Sequence, residues 1–493
     1  MAERPYERLS GLDQSFLVFE SGSTHMHVAA TLIIESGGLR RPDGGIDIER
    51  IRAYTASRLH RIPRYRQRLA YTPLDRHPVW IDDEHFNIDY HVRHTALPRP
   101  GDERQLKNLA ARVMSQQLDR AKPLWEIWVV EGLEGDRFAL VAKTHHCLAD
   151  GLAAVDLLGM LLCPDPSDEI DEVPPWVPRR GPGRLELVRD ELTRLATTPL
   201  GVLRALRRRL DDPDGLGGEV VEHLRGLAGT LGVGLRGSEE TPLNQSIGPH
   251  RRFDWVSLDL ADVRDVKRCL GGTVNDIVLA TVAGAVRRFL THRGVDCDSI
   301  RFRVLAPVSV RSGSKAAVLG NQVSLWLIDL PIGEEDARLR LDQIRDTTAE
   351  LKEARQALGA KLLTEATEWS GSTLLSLGVR LLSRTLPFNL IVTNVPGPQR
   401  PLYLLGSRLL EAYPVVPLFW NQALGVALFS YTGRLHWGIN ADWDRVPDLS
   451  LFVDAIVASF DELRAAAAES RVASRPKRRR TRPPGPDRPI AEA

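Results

Sequence analysis

Apolar and polar residues alternate along this chain with two different periods, which predict strands and helices in turn. The period of a strand recurs at residues 28–34, 124–130 and 138–144, and that of an amphipathic helix at residues 105–118. Near the C-terminal end, two strand-like runs flank Thr432-Gly433-Arg434, a sequence that favours the tight turn of a hairpin. This mixture of elements indicates an α/β protein.

The strand at residues 138–144 is apolar on both faces. Consecutive strand residues point to opposite sides, so that Phe138, Leu140 and Ala142 share one face and Ala139 and Val141 the other. Such a strand is typical of the middle of a sheet that is covered on both sides. Soon after it the apolar period becomes that of a helix, with the stripe Leu152, Val155, Leu158 and Leu162.

The same pattern divides the chain into four parts. Residues 1–165 and 251–468 alternate strands and helices, and each is long enough for a domain. A connector at residues 166–250 separates them, rich in proline at its start and helical later. The tail at residues 469–493 is basic, and we expect it to be disordered from Arg471 onward.

The helical part of the connector carries an apolar stripe followed by a basic stretch. The stripe consists of Leu185, Val188, Leu192 and Leu195, and residues 202–210 add four arginines. Two interpretations are open. The first is a solvated helix packed across two domains, and the second is a basic amphipathic surface that contacts anionic lipid.

The composition excludes several classes of protein. The 493 residues have a formal net charge of +1, which gives no overall field for nucleic acid. Only the tail is strongly basic, with eight basic and two acidic residues from Arg471 onward. The N-terminus lacks the apolar core of a signal peptide, and no apolar run approaches the ~18 residues of a membrane span. We therefore expect a cytoplasmic protein whose contact with membranes is peripheral.

Three weaker patterns do not predict cofactor or metal sites. The string Gly232-x-Gly234-x-x-Gly237 matches a dinucleotide fingerprint, but no buried strand precedes it. His25 and His27 share a strand face without a third ligand nearby in the sequence, which favours a structural role over a metal site. The acidic run at residues 82–85 is expected to be a solvated turn.

The central candidate site is His145-His146-Cys147-Leu148-Ala149-Asp150-Gly151, which joins the buried strand to the next helix. Only one of the two adjacent imidazoles can face a given cavity. Asp150 can cap the following helix, and Gly151 permits a tight turn. A neutral imidazole is a natural acceptor for an alcohol proton near neutral pH.

A second candidate is Thr273-Val274-Asn275-Asp276, where Thr273 and Asp276 have the spacing of a capping box. This places Asn275 in the first turn of a helix, where free N–H groups and the helix dipole favour negative charge. Its amide is suited to stabilising an oxyanion. A purely structural cap is an equally good explanation of the pattern.

Several short motifs, in order along the chain, resemble the bacterial wax ester synthase/acyl-CoA:diacylglycerol acyltransferases, which are related to chloramphenicol acetyltransferase. The resemblance extends over residues 9–463. Its motifs are Leu9-Ser10-Gly11-Leu12-Asp13, Pro123-Leu124-Trp125, His145 to Gly151, Val274-Asn275-Asp276, Pro307-Val308-Ser309-Val310-Arg311, Leu319-Gly320-Asn321 and Asn394-Val395-Pro396-Gly397-Pro398.

The resemblance implies two chloramphenicol-acetyltransferase-like α/β domains with mixed sheets, joined by a long helical crossover. It implies that His146 is the general base, that Asp150 holds the loop by an ion pair, and that His145 is the less critical histidine. Asn275 matches the Asn-Asp motif near the reacting centre. Cys147 is a free thiol beside the base, but the mechanism of the family needs no acyl-enzyme.

The implied activity is O-acyl transfer from fatty acyl-CoA to diacylglycerol, giving triacylglycerol, or to a fatty alcohol, giving a wax ester. No cofactor or metal is implied, and the lipid substrates imply peripheral contact with an anionic membrane or a lipid droplet. Two alternatives stay open at this point. One is a condensation-type enzyme that takes carrier-bound acyl groups, and the other is an acyl-lipid-binding protein without catalysis.

Overall fold

A computed structural model describes the chain over residues 5–148, 159–172, 175–194, 239, 241–309, 323–358 and 388–474. In chain order its strands are β1 (Glu7–Arg8), β2 (His27–Glu35), β3 (Gln67–Tyr71), β4 (Pro78–Asp82), β5 (Val92–Ala96), β6 (Trp125–Leu133), β7 (Arg137–His145), β8 (Arg251–Asp259), β9 (Phe302–Ser309), β10 (Val323–Leu330), β11 (Leu390–Pro396), β12 (Tyr403–Leu404), β13 (Ser407–Val415), β14 (Leu424–Tyr431) and β15 (Arg434–Asp442). The labelled helices are α1 (Gly11–Phe19), α2 (Ile48–Arg58), α3 (Ile88–His91), α4 (Glu103–Met114), α5 (Leu260–Leu270), α6 (Val274–His292), α7 (Ala337–Leu358) and α8 (Leu449–Ser474). The connector contributes a further helix at residues 184–194.

The strands form two six-stranded mixed sheets and a small three-stranded one. The first sheet has the order β12-β13-β2-β7-β6-β5, and the second β10-β9-β11-β14-β15-β8. The small sheet, β1-β4-β3, leads into α1. The α/β class expected from the sequence is confirmed, as are the strands at residues 28–34, 124–130 and 138–144 and the helix at residues 105–118, with shifts at their ends.

The strand β7 lies in the middle of the first sheet and is buried on both faces, as predicted. Phe138, Leu140 and Ala142 belong to one apolar core, whereas Ala139 and Val141 pack in a second core with α4. Apolar layers therefore cover both faces of β7. His145 and His146 lie at its C-terminal end, where the packed strand holds them in place.

The second sheet packs against α5, α6, α7 and α8, and α6 is buried on nearly all sides. The predicted hairpin is confirmed: β14 and β15 are joined by Thr432 and Gly433, both with positive φ. Two successive residues with positive φ match the twist of the strands that they connect.

The two large sheets are not independent, because strands from the second half complete the first sheet. β13 pairs with β2, with Tyr413 opposite Thr31 and Val415 opposite Ala29. β15 crosses β13 so closely that a Cβ on Gly438 would lie 1.8 Å from the Pro414 carbonyl oxygen. This approach explains why residue 438 is glycine.

Two expectations were wrong in part. The acidic run at residues 82–85 is not a solvated turn throughout, because Asp82 ends β4 and both Asp82 and Asp83 are buried. Arg179 pairs with Asp82, which stabilises the buried carboxylate. The tail was expected to be disordered from Arg471, but α8 continues to Ser474 and Arg471 pairs with Asp265.

The connector helix at residues 184–194 has the predicted secondary structure but an unexpected orientation. The stripe of Leu185, Val188 and Leu192 does not pack across two domains. The exposed fraction of the residue is 87% for Leu185 and 55% for Leu192. Leu187 and Glu191, on the other side of the helix, are the buried residues. The predicted stripe residue at 195 and the basic stretch at 202–210 lie outside the described residues.

Among the described residues, no single helix has both the length and the apolar character needed to cross a membrane. α5 and α6 meet these criteria only together, as a pair bent by 97° at its junction.

Candidate active site

The two histidines diverge at the end of β7. His145 is the last strand residue, and its N–H donates to the Leu124 carbonyl at 2.9 Å. His146 opens a short 3-10 helix, and its N–H donates to the Met26 carbonyl at 2.8 Å. The residues directly before β6 and β2 therefore fix the backbone of the turn. The chain changes direction between the two residues, so that their rings have different surroundings.

The His146 ring stacks on the phenyl ring of Phe16, with centroids 3.9 Å apart and planes inclined by 18°. The residue is half-buried, and its Nδ1 atom is buried without a hydrogen bond to any other described residue. Burial lowers the pKa of His146 to about 4, because an imidazolium ion would lose its hydration there. The ring is therefore neutral at physiological pH, the form that a general base requires.

The helix that presents Phe16 begins at one of the family-like motifs. The Ser10 hydroxyl accepts from the Asp13 N–H at 3.1 Å and donates to the Asp13 carboxylate at 2.6 Å. This cap fixes the start of α1 directly after the small sheet. One and a half turns later, Phe16 meets His146. The motif at residues 9–13 thus acts on the site through the placement of α1.

His145 lies in a buried polar cluster. Its Nδ1 accepts from the Cys147 N–H at 3.1 Å, which leaves the ring proton on Nε2. That Nε2 lies 3.5 Å from Glu20 Oε1, and His27 Nε2 lies 3.5 Å from the same oxygen. His27 and His145 are directly opposite each other on β2 and β7, which explains their proximity. The side chains of Glu20, His27 and His145 are each 1% exposed.

Glu20 organises this cluster, and it was not among the site residues predicted from the sequence. Arg120 Nη2 binds Glu20 Oε2 at 2.5 Å, and Arg120 Nε donates to the same oxygen at 2.9 Å. Burial alone would raise the pKa of Glu20, but the proximity of the His145 ring and the hydrogen-bonded guanidinium of Arg120 prevail and lower it to about 2. An acidic residue directly after the apolar run of α1 was the available signal. Its partners could be named only from the strand register.

His25 lies beside His27 at the edge of this cluster. The two ring centroids are 5.5 Å apart, and His25 Nε2 donates to the Gly22 carbonyl at 3.2 Å. Burial lowers the pKa of both rings, so that neither is charged at neutral pH. Within the part of the chain that the structure describes, no group of three or more His, Cys, Asp or Glu side chains is placed to hold a metal ion.

Cys147 is poorly suited to nucleophilic catalysis. The side chain is buried in the core of the first half, and burial raises the pKa of its thiol well above the usual value. The thiolate is the reactive form of cysteine, and this position disfavours it. The structure thus gives the thiol beside His146 a packing role.

Asn275 occupies the predicted first turn of α6, but it is not the cap. Thr273 Oγ1 accepts from the Asp276 N–H at 3.2 Å, and Asp276 Oδ2 accepts from the Thr273 N–H at 2.7 Å. Thr348 donates to Asp276 Oδ1 at 2.9 Å, which attaches α7 to this end of α6. The half-buried Asn275 amide makes no hydrogen bond to another described residue. The capping role therefore belongs to its neighbours.

Some of the predicted site residues lie among the described residues, and others do not. Asp150 and Gly151 are beyond the described residues, as are residues 319–321 and the glycine string at residues 232–237. No hydrogen bond between described residues joins Asn275 to His146. Trp125 ends the motif Pro123-Leu124-Trp125 and begins β6. It is a fully buried core residue whose Nε1 donates to the Tyr65 carbonyl at 2.8 Å.

Comparison with known protein families assigns both halves of the chain. Residues 9–278 match the wax ester synthase/diacylglycerol acyltransferase catalytic domain, and residues 319–464 match the C-terminal domain of the same proteins. The chain belongs to the wax ester synthase/diacylglycerol acyltransferase family. This confirms the resemblance inferred from the motifs, and the chain is an acyltransferase.

Individual members of the family align with nearly the whole chain. A Mycobacterium tuberculosis protein named "Probable diacyglycerol O-acyltransferase tgs1" is 34% identical, and the alignment covers 95% of this chain and 98% of that protein. The solved wax ester synthase/diacylglycerol acyltransferase from Marinobacter aquaeolei VT8 has a TM-score of 0.67 at 27% identity, covering 94% of this chain and 100% of that one.

A condensation domain shares the fold at a greater distance. The starter condensation domain of rhizomide synthetase has a TM-score of 0.53 at 12% identity and covers 94% of this chain and 95% of that one. Identity this low shows the fold alone. It confirms the expected two-part architecture, in which each half is built on a mixed sheet.

Proposed function

We propose that this acyltransferase transfers a fatty acyl group from acyl-CoA to the hydroxyl of diacylglycerol, and that fatty alcohols are further acceptors. The observation that carries the proposal is the neutral, stacked imidazole of His146 at the end of a buried strand. The names of the Mycobacterium and Marinobacter relatives, which align over most of both chains, support the choice of substrates.

His146 acts in this proposal as the general base. Because Nδ1 is buried, Nε2 is the nitrogen that receives the proton of the acceptor hydroxyl. As the O–H bond breaks, the oxygen attacks the thioester carbonyl carbon of acyl-CoA and forms a tetrahedral intermediate. Collapse of that intermediate breaks the C–S bond, and protonated His146 returns the proton to the departing thiolate. A base of this kind contributes ~10²–10⁴-fold to the rate.

Asn275 is the proposed donor to the oxyanion of the intermediate. Thr273 and Asp276 complete the cap of α6, and the Asn275 amide makes no hydrogen bond to another of the described residues. The N-terminal end of the helix also carries a partial positive charge that favours an anion. One such donor is worth ~10²–10³-fold in rate. Asp150 is proposed to hold the loop after His146, and His145 to support it from the buried cluster; no cofactor or metal takes part.

The same proposal requires contact with a lipid surface. Diacylglycerol and fatty alcohols partition into bilayers and lipid droplets, so the acceptor must enter from such a surface. We propose that the protein resides in the cytoplasm and associates peripherally with an anionic membrane or a lipid droplet. The basic sequences at residues 202–210 and 475–482 are suited to electrostatic attraction.

The test is a thiol-release assay with purified protein, a series of acyl-CoA lengths, and diacylglycerol or long-chain alcohols dispersed in detergent. We expect release of CoA that depends on the acceptor alcohol, together with formation of the matching ester. His146→Ala protein that remains folded provides the control. A protein that releases thiol only when a carrier protein supplies the acyl group would instead be a condensation-type enzyme.

A further inference from the structure

The connector helix at residues 184–194 presents apolar side chains to solvent. Leu185 and Leu192 are 87% and 55% exposed, and Val188, between them, is half-buried. Residues spaced by three, four and seven positions share one side of a helix, so these three form a single stripe. Val177, before the helix, is 78% exposed.

The opposite side of the helix is held to the protein largely by polar contacts. The Tyr6 hydroxyl donates to Asp190 at 2.8 Å, and Arg194 pairs with Asp75 at 2.9 Å. The Glu191 carboxylate accepts from the N–H groups of Leu74 and Asp75, each at 3.1 Å. Leu187 is the apolar residue of the helix that packs into the small sheet. A surface helix of a globular protein normally has the reverse arrangement, with its apolar stripe inward.

The charges around the stripe favour an anionic partner. Arg180, Arg184 and Arg189 are exposed, and Arg189 lies beside the stripe. Asp190 is half-buried and hydrogen-bonded, and Glu191 is buried, so neither carboxylate offsets these arginines at the outer surface. Glu186 is exposed, so that three exposed arginines stand against one exposed carboxylate and the local charge is positive. An apolar stripe flanked by arginine is the composition of helices that lie in the headgroup region of a membrane.

The stripe is also connected to the candidate active site. The helix packs on β4, and β4 pairs with β1 through Glu7–Trp80 and Arg8–Val79. The Leu9 N–H donates to the Pro78 carbonyl at 3.2 Å, and α1 begins two residues later. α1 carries Phe16, which contacts His146. One continuous piece of structure therefore joins this surface to the base.

We propose that the stripe formed by Leu185, Val188 and Leu192 is the membrane-docking surface of the enzyme. The helix lies in the plane of an anionic bilayer, its leucines inserted among the acyl chains and Arg184 and Arg189 against lipid phosphates. The choice of a lipid partner rests on the proposed acyl transfer to diacylglycerol. This surface is distinct from the basic stretches at residues 202–210 and 475–482.

The test compares two double variants of the full chain. Leu185→Glu/Leu192→Glu places charges in the stripe, and Leu339→Glu/Leu451→Glu makes the same change at exposed leucines of α7 and α8. Flotation with vesicles of phosphatidylcholine, with and without phosphatidylglycerol, measures binding. We expect the stripe variant to bind anionic vesicles at least about tenfold more weakly than the parent, because a buried leucine contributes strongly to insertion. The control variant should bind like the parent.

A third double variant tests the contribution of the arginines to binding. Arg184→Ala/Arg189→Ala should weaken binding to vesicles that contain phosphatidylglycerol by about fivefold or more at low salt, and binding to pure phosphatidylcholine much less. Thiol release with detergent-dispersed substrate should stay within about twofold of the parent in all three double variants. A parent that floats but releases no thiol would support docking while contradicting the proposed acyl transfer.

Three results would overturn the docking surface. The first is a stripe variant that floats as well as the parent. The second is a lower thermal midpoint of the stripe variant than of the control variant, which would show that the chain itself covers the stripe. The third is a parent protein that is dimeric and a stripe variant that is monomeric but floats equally well. That result would show that the stripe binds a second copy of the chain.

Discussion

His146 and Phe16 lie face to face, with their ring centroids 3.9 Å apart. Phe16 belongs to α1 and His146 to the turn after β7, so the contact joins two elements far apart in sequence. It covers one face of the imidazole with an apolar ring, which fixes the orientation of the imidazole and excludes water from that side. Exclusion of water favours the neutral form of the ring.

The two histidines should differ sharply when each is replaced. His146→Ala is expected to lower turnover by ~10²–10⁴-fold with little change in thermal midpoint, because the base is lost from a half-buried turn. His145→Ala should lower the thermal midpoint more and turnover less, since its ring supports Glu20 and the Cys147 N–H. Melting curves and thiol release measure the two effects. A greater loss of turnover in folded His145→Ala protein would reverse the assignment.

The pH dependence of kcat/KM should reflect the lowered pKa of His146. The base acts when neutral, so the rate should be constant through neutral pH and decline only as pH falls toward about 4. Over the interval from 6.5 down to 4 the unfolded chain takes up a proton that folded His146 does not, so the free energy of unfolding also decreases. A decline centred near pH 6.5, measured on the folded enzyme, would contradict the burial of the base.

Phe16→Leu tests the stack itself. Leucine keeps an apolar side chain in α1 but removes the flat ring, which admits water to one face of the imidazole. We expect kcat to fall and the acid limb of the pH profile to move from about 4 toward 6.5. Phe16→Tyr retains a ring and should keep the acid limb near that of the parent. If Phe16→Leu loses stability but keeps the parental profile, the contact is only packing.

Glu20→Gln should destabilise the protein while leaving its shape unchanged. The substitution removes the charge that binds Arg120 and faces His145. Breaking a buried ion pair costs about 3–5 kcal/mol, and we expect about 2–4 kcal/mol here because the Arg120 side chain is 35% exposed. Chemical denaturation at pH 7 measures this loss in the free energy of unfolding.

The pH dependence of stability shows whether the effect of Glu20→Gln comes from the charge of Glu20. A carboxyl whose pKa is lowered to about 2 stabilises the folded state above about 4.5 and loses that contribution as pH falls toward 2. The difference in stability between the parent and Glu20→Gln should therefore shrink across that window. A difference that stays constant down to pH 2 would show that the charge of Glu20 is not involved.

Asn275 and Asp276 are adjacent but should behave oppositely. Asn275→Ala is expected to lower kcat by ~10²–10³-fold with little effect on KM or stability, as expected for a contact made in the transition state. Asp276→Ala removes the cap of α6 and the bond from Thr348, and should cost about 1–3 kcal/mol of stability. Unchanged kcat in Asn275→Ala protein would remove it from the mechanism.

The sequence predicted local elements well because their signals are local. The alternation at residues 138–144 identified a strand buried on both faces, and the spacing of Thr273 and Asp276 identified a capping box. The motif that ends β7 also led to the proposal that His146 is the base, which stays a prediction. Each of these inferences needed only the periodicity of a strand or helix, or the chemistry of a few neighbouring residues.

What the sequence did not predict depends on contacts between distant residues. Glu20 is separated from His145 by more than a hundred positions, and they meet because β2 and β7 pair with His27 opposite His145. The outward orientation of the apolar stripe on the connector helix could not be predicted for a different reason. Hydrophobic periodicity marks which residues share a side of a helix, but not whether that side faces the core or the solvent.

The pairing of β13 with β2 has a consequence for synthesis of the chain. Until residues 407–415 leave the ribosome, β2 is an open edge of the first sheet, with unpaired N–H and C=O groups beside an apolar core. A fragment that ends within the connector would keep this edge permanently and should aggregate. His145 and His146, at the end of β7, therefore reach their final environment only late in translation, when the second half contributes its strand to the first sheet.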